Sequence, residues 1–101
     1  MSGGREDALA EFEGLVERYC RYLLEVRGLS DNTVRSYRAD LASYVSWVRR
    51  RGVRPLAPTH RELRGYLAEL ARAGYVPRTL NRRLSALRGL YRWLVREGAC
   101  E

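Results

Sequence analysis

Apolar side chains recur along this chain with the period of a helix, in four separate stretches. From about Asp7 to Arg27, Ala8, Phe12, Leu15, Tyr19, Tyr22, Leu23 and Val26 share one face at about 100° per residue, and Gly28 supplies a left-handed stop. Ser30 is the predicted N-cap of a second helix that ends at Arg51, before Gly52. Its stripe is Val34, Tyr37, Leu41, Tyr44, Val45 and Val48, with Trp47 at the edge of the arc and expected to be partly buried. A loop holding Pro55 and Pro58 leads to Thr59-x-x-Glu62, a capping box for a third helix from about His60 to Ala73 with Leu63, Tyr66, Leu67 and Leu70 as its core face. The fourth stretch runs from Pro77 to Gly98. Leu80, Leu84, Leu87, Tyr91, Leu94 and Val95 make its apolar side, and Pro77 suits the first turn because its missing donor is not needed there.

No strand-like alternation, internal repeat or heptad seam competes with this pattern, which predicts an all-α fold: a compact bundle of four main helices. Residues 1–10 read as a disordered or expression-derived N-terminus and residues 11–98 as one domain.

The polar sides of two helices differ from ordinary solvated faces. The second presents Arg35, Ser36, Ala39, Ala42, Ser43 and Ser46. The fourth carries Arg78, Thr79, Arg82 and Arg83 near its start, followed by Ser85, Ala86 and Gly89, which are too small to hold another body away. Guanidinium groups beside a small-residue strip suit a nucleic-acid groove. For either helix taken alone, solvation explains the charge as well. The first helix is acidic outside, with Glu6, Asp7, Glu11, Glu13 and Glu17, which suits its dipole and a protein partner better than DNA.

Charge strengthens the polyanion reading through its distribution. The net +7 of the 101 residues rests on 19 arginines and no lysine. Residues 1–50 hold eight Arg against eight Asp or Glu, so the whole excess lies in the second half, eleven Arg against four Glu. The absence of lysine looks like a composition bias and says little about a site. Cys20 and Cys100 have no metal-ligand spacing, so neither a disulfide framework nor a metal site follows, and no cofactor is expected. His60 has no nucleophile or carboxylate partner in the pattern and reads as a surface histidine. Without a signal core or an apolar run of membrane length, the chain is expected to be cytoplasmic, with no membrane partner and no small-molecule substrate.

Two stretches together resemble a known family. LSDNTVRSYRADLASYVSWVRRRG at 29–52 and RTLNRRLSALRGLYRWLVREG at 78–98 are similar to the N-terminal core-binding, SAM-like domain of tyrosine recombinases, the site-specific enzymes of the XerC and XerD type and the phage integrases. The specificity lies in a combination: Leu-Ser-x-Asn-Thr, then Tyr-x-x-Asp-Leu in the same helix, then Arg-x-Leu-Ser-Ala-Leu-Arg-x-Leu-Tyr-x-Trp-Leu downstream. The resemblance, over roughly residues 12–98, implies half of a C-shaped clamp on a recombination half-site, with the second and fourth helices crossing a major groove of double-stranded DNA. Carried over by helix, it implies DNA contacts from Thr33, Arg35 and Ser36, and from Arg78, Thr79, Arg82 and Arg83 with Ala86 at close approach. It further implies that the first helix touches other protomers in a synaptic complex.

The family's chemistry uses an arginine pair, a lysine, a histidine-type acid-base group and a nucleophilic tyrosine in a second domain. This chain has no lysine and one histidine, and its seven tyrosines fall on apolar faces or, for Tyr75, in a turn. It therefore reads as non-catalytic by itself, with residues 99–101 the start of a linker to an absent catalytic domain. Two other readings compete. One is a protein interaction module built on an exposed Leu90, Trp93 and the acidic first helix; the other is a helix-turn-helix regulator, since the third and fourth helices are joined by a short glycine turn. In the DNA-binding reading, a substitution at Arg82 is expected to leave the fold intact, because the residue lies opposite the core stripe.

Overall fold

The computed structural model describes residues 2–100 and places among them α1 (Ser2–Glu25), α2 (Asp31–Arg51), α3 (His60–Arg72) and α4 (Pro77–Arg96), with no strand. The predicted punctuation operates as local chemistry. Ser30 Oγ accepts the Thr33 amide at 3.2 Å to open α2, and Gly52, at φ 68°, closes it by donating its amide to the Val48 carbonyl at 3.0 Å. Both bonds of the Thr59 and Glu62 capping box are formed. At α4, Pro77 occupies the first turn and Val76 provides no side-chain cap.

α1 departs from expectation at both ends. It begins at Ser2, so the segment read as disordered is helical as far as it is described; Met1 and Glu101 lie outside the described residues. The anchor is Arg5, whose Nη2 donates to the Arg49 carbonyl at 2.8 Å, at the C-terminal end of α2. That contact fixes a first turn which Gly3 and Gly4 would otherwise loosen. At the other end the helix stops at Glu25, and Val26 is 71% exposed rather than part of the core. The buried stripe is also wider than one arc: Leu9, Val16 and Cys20 join Phe12, Leu15, Tyr19 and Leu23, while Ala8 is exposed. Contact with both α2 and α4 covers α1 on two flanks.

α4 is the central element, touching α1, α2 and α3. Leu80, Leu84, Leu87 and Tyr91 form one apolar flank, and Ala86, Leu90, Trp93 and Leu94 form a second. Ala86 and Gly89 of the strip read as open are therefore packing surface, while Ser85 stays exposed. A Cβ at Gly89 would overlap the Tyr19 hydroxyl of α1. Trp93 is only 4% exposed; its ring centroid lies 5.6 Å from that of Tyr19 and 6.2 Å from that of Tyr22, with the Arg18 guanidinium over it. With Leu90 fully buried as well, the interaction-module reading loses its exposed anchors. Val95, assigned to the core by the pattern, is half exposed because it continues the first flank where that flank lines an open concavity rather than the closed core.

Aromatic rings fill the centre. Tyr44 packs edge-on against Phe12, Tyr66 and Tyr91, and Trp47 lies against Tyr44 and Tyr66. Trp47 is buried, not partly exposed, because its indole N–H finds an acceptor in Glu69 Oε2 at 2.7 Å. The Tyr91 hydroxyl donates to the Pro55 carbonyl at 2.7 Å. Its one proton thus committed, it must accept from the Tyr44 hydroxyl, 2.8 Å away. This chain of hydroxyls pins the loop between α2 and α3 to the core. Burial pushes the Tyr44 phenol up to about 12 and raises Tyr91 further in the same direction.

Candidate nucleic-acid interface

The N-terminal half of α2 and the start of α4 are brought together by ionic and hydrogen-bonding contacts across the bundle. Thr33, Arg35 and Ser36 are exposed on α2. The Thr33 Oγ1 accepts from the Ser30 hydroxyl at 2.9 Å, and Arg35 Nη1 donates to Asn32 Oδ1 at 3.3 Å. On α4, Arg78 is exposed with no ion pair among the described residues, and Thr79 is partly exposed. The first-turn amides of α4 receive no side-chain cap, so the positive end of its dipole faces outward beside Arg78.

Arg82 and Arg83 are not free solvated charges. Arg82 donates from Nε to Asp40 Oδ2 at 2.8 Å and from Nη2 to Asp40 Oδ1 at 3.0 Å, a fork-to-fork pair between α4 and α2. Its side chain stays 47% exposed while that of Asp40 is 3% exposed. Arg83 turns further inward: Nη1 donates to Ser43 Oγ at 2.8 Å, Nε lies 3.6 Å from Asp40 Oδ1, and the guanidinium sits 4.6 Å from the Tyr75 ring centre. Arg82 is thus not a neutral position for substitution. A glutamate there would set a second carboxylate against a buried one. Ala86, expected at close approach to a ligand, is 1% exposed; one turn beyond Arg82, it lies on the flank of α4 that faces α2.

Asp40, the buried partner of both arginines, is the residue that the hydrophobic pattern did not single out. It was readable in principle: in helix phase position 40 falls between Tyr44 and Trp47, at the border of the apolar stripe, and a carboxylate buried at that border requires a cationic partner. Ser43, taken as an outward small residue, is partly buried and shared between Arg83 and the Tyr66 hydroxyl.

Elsewhere the ion pairs sort the charge. Carboxylates Glu13 and Glu17 of α1 meet Arg49 and Arg38 of α2, Glu69 meets Arg51, and Glu97 meets Arg18. The pairs of Glu13, Glu17 and Glu97 are exposed and add little stability, whereas Glu69 is partly buried and also holds the Trp47 indole. The pairs with α2 consume Glu13 and Glu17 of the acidic face of α1 within the fold and leave Glu6, Asp7 and Glu11 exposed. A second concavity, about 580 Å³, lies between α3 and α4; Leu56, Leu63, Leu67, Leu84 and Tyr91 line it, and His60, Arg64 and Arg88 stand at its edge. No residue of α2 reaches it. Among the described residues no group of His, Cys, Asp and Glu is arranged to hold a metal ion, and no helix is long and apolar enough to cross a membrane. The Tyr22 phenol is lowered by the Arg96 guanidinium, which donates to its hydroxyl at 3.1 Å.

Comparison with known proteins agrees with the resemblance seen in the two long motifs. Residues 16–98 match the family described as phage integrase, N-terminal SAM-like domain. The chain is 39% identical over 87 residues to the tyrosine recombinase XerC of Pseudomonas putida strain F1, covering 85% of this chain and 29% of that protein. It is 37% identical over 90 residues to the XerC of Pseudomonas fluorescens, covering 88% and 30%. With the XerC of Xylella fastidiosa strain M23 it shares 35% over 85 residues, covering 83% and 29%. The chain thus spans just under a third of the length of these relatives. No solved structure matches it significantly.

Proposed function

The chain belongs to the phage integrase N-terminal SAM-like domain family, and from that premise we propose that it is the DNA-binding module of a site-specific tyrosine recombinase. α2 and α4 lie along a major groove of the recombination half-site, and strand cleavage and rejoining belong to the longer protein. The observation that carries this reading is the Asp40–Arg82 pair, which ties α4 to α2 with Ser36 one turn before Asp40 and Arg78 one turn before Arg82, both exposed. Arg83 supports that surface from within, and Ala86 lets α4 approach α2 rather than DNA. Arginine is suited to the task because its planar fork meets phosphate oxygens or a guanine edge two bonds at a time. Exposed Glu6, Asp7 and Glu11 favour protein over DNA as the neighbour of α1, which fits contact with other protomers in an assembled complex.

The test is fluorescence anisotropy of a labelled generic 20-bp duplex across a salt series. Neutralising about five phosphates gives a slope of log affinity against log salt near −4 to −5. Arg78→Glu should weaken binding at every salt concentration and make the slope shallower by about 1 to 2, with an unchanged melting curve, because Arg78 has no ion pair within the fold. Wild-type protein that shows no salt-dependent binding would remove the reading.

A further inference from the structure

Asp40 is the one charged residue buried among the described residues, at 4% exposure, and its carboxylate lies beneath the surface that the DNA-binding reading uses. Its two oxygens take the inner edge of the Arg82 guanidinium through Nε and Nη2. A guanidinium has five N–H donors, so the Nη1 pair and the second Nη2 hydrogen remain for an outside acceptor, on a side chain that is 47% exposed. The pair therefore does two things at once. It holds the plane of the fork in one orientation relative to both helices, which a long free side chain would otherwise leave undefined. It also subtracts one charge: with Arg83 3.6 Å from the same carboxylate, two cations share one anion and the cluster presents a net +1.

Resting on the DNA-binding reading, we propose that Asp40 is a positioning residue that sets specificity: it presents only the outer edge of Arg82 to DNA and withholds one charge from indiscriminate attraction to phosphate. Arginines with no carboxylate partner, such as Arg78, supply the sequence-indifferent term; Arg82 contributes directed contacts whose geometry Asp40 decides. Removing the carboxylate charge should make the domain a tighter and more salt-dependent binder of generic duplex.

The experiment compares wild type, Asp40→Asn and Asp40→Glu on the generic duplex over the same salt series, each variant checked for helicity. Asp40→Asn is expected to steepen the slope by about 0.9, one additional counterion released, and to tighten binding at 50 mM salt on the order of fivefold to tenfold. Asp40→Glu, which keeps the charge, should hold the wild-type slope. A role confined to stability would leave the slope of folded protein alone, so an unchanged or shallower slope in Asp40→Asn overturns the proposal. Failure of the wild type itself to bind would instead overturn the DNA-binding reading beneath it. Should Asp40→Asn not fold, the wild-type Nε–H resonances decide. An Arg82 Nε–H protected from solvent exchange before and during duplex titration supports the clamp; one exchanging as fast as that of Arg78 overturns it.

Discussion

Replacing Gly89 by alanine tests whether α4 packs against α1 as closely as described. In an exposed helix interior this change stabilises by about 0.5–1 kcal/mol, because alanine loses less backbone freedom on folding. Here the new methyl would overlap the Tyr19 hydroxyl, with Tyr19 Cζ 3.5 Å away. Tyr19 cannot swing clear, since its ring is only 5% exposed and lies against Tyr22 and Trp93. Overpacking of this kind costs about 1–3 kcal/mol, so the net effect is a loss centred near 1 kcal/mol and a thermal midpoint lower by roughly 4 to 8 °C. Tyr19→Phe removes the overlapping oxygen and leaves an ordinary contact. In that background Gly89→Ala should recover its intrinsic gain, making the double variant more stable than Tyr19→Phe by about 0.5–1 kcal/mol. The assay is a double-mutant cycle by urea and thermal unfolding followed by circular dichroism. If Gly89→Ala stabilises the wild type as it would a free helix, α4 does not approach α1 at this point and the description of its second flank is wrong.

Two further outcomes follow from the core and the caps. The folded state holds Tyr44 and Tyr91 protonated, whereas unfolded phenols titrate near 10; their contribution is therefore whole below pH 10 and lost as pH rises towards 12. Urea midpoints should show stability falling by about 1.4 kcal/mol per pH unit for each phenol over that window, with Tyr91→Phe removing one share; a flat profile from pH 9 to 11 would contradict the buried hydroxyl chain. Thr59→Ala, which deletes a capping bond of 3.0 Å to the Glu62 amide, should cost about 1 kcal/mol in thermal unfolding, and an unchanged midpoint would mean that α3 does not depend on its box.

The fold was legible in the chain wherever one residue decides a local geometry. Ser30, Gly52, Thr59 with Glu62, and Pro77 all act as their chemistry dictates. Errors came where tertiary contact overrides a single-helix pattern. Periodicity assigns one buried arc to each helix, and α4 has two because three neighbours surround it; Ala86, Gly89 and Leu90 were misplaced for that one reason. The start of α1 depends on a contact between Arg5 and a carbonyl 44 positions away, which no local rule reports. At the candidate interface the exposure of Arg35, Ser36 and Arg78 was readable from helix phase alone, whereas Thr33 came only from the family resemblance. The ties of Arg82 and Arg83 were not, because a partner on another helix is invisible until the helices are packed. Asp40 was the clue available, a charge at the border of the apolar stripe, between the phases of Tyr44 and Trp47.

The central position of α4 has a consequence for how the domain comes into being. Its twenty residues are the last of the four helices to be synthesised, yet they face all three that precede them. At about 5–20 residues per second, roughly 3 to 15 s separate the completion of α1 from that of α4 on a translating ribosome. Through that interval Phe12, Tyr19 and Tyr44 have no lasting partner for the sides that Tyr91, Trp93 and Leu94 will cover. The nascent chain therefore has no stable halfway state to pause in, and closure of the whole core waits on its final segment.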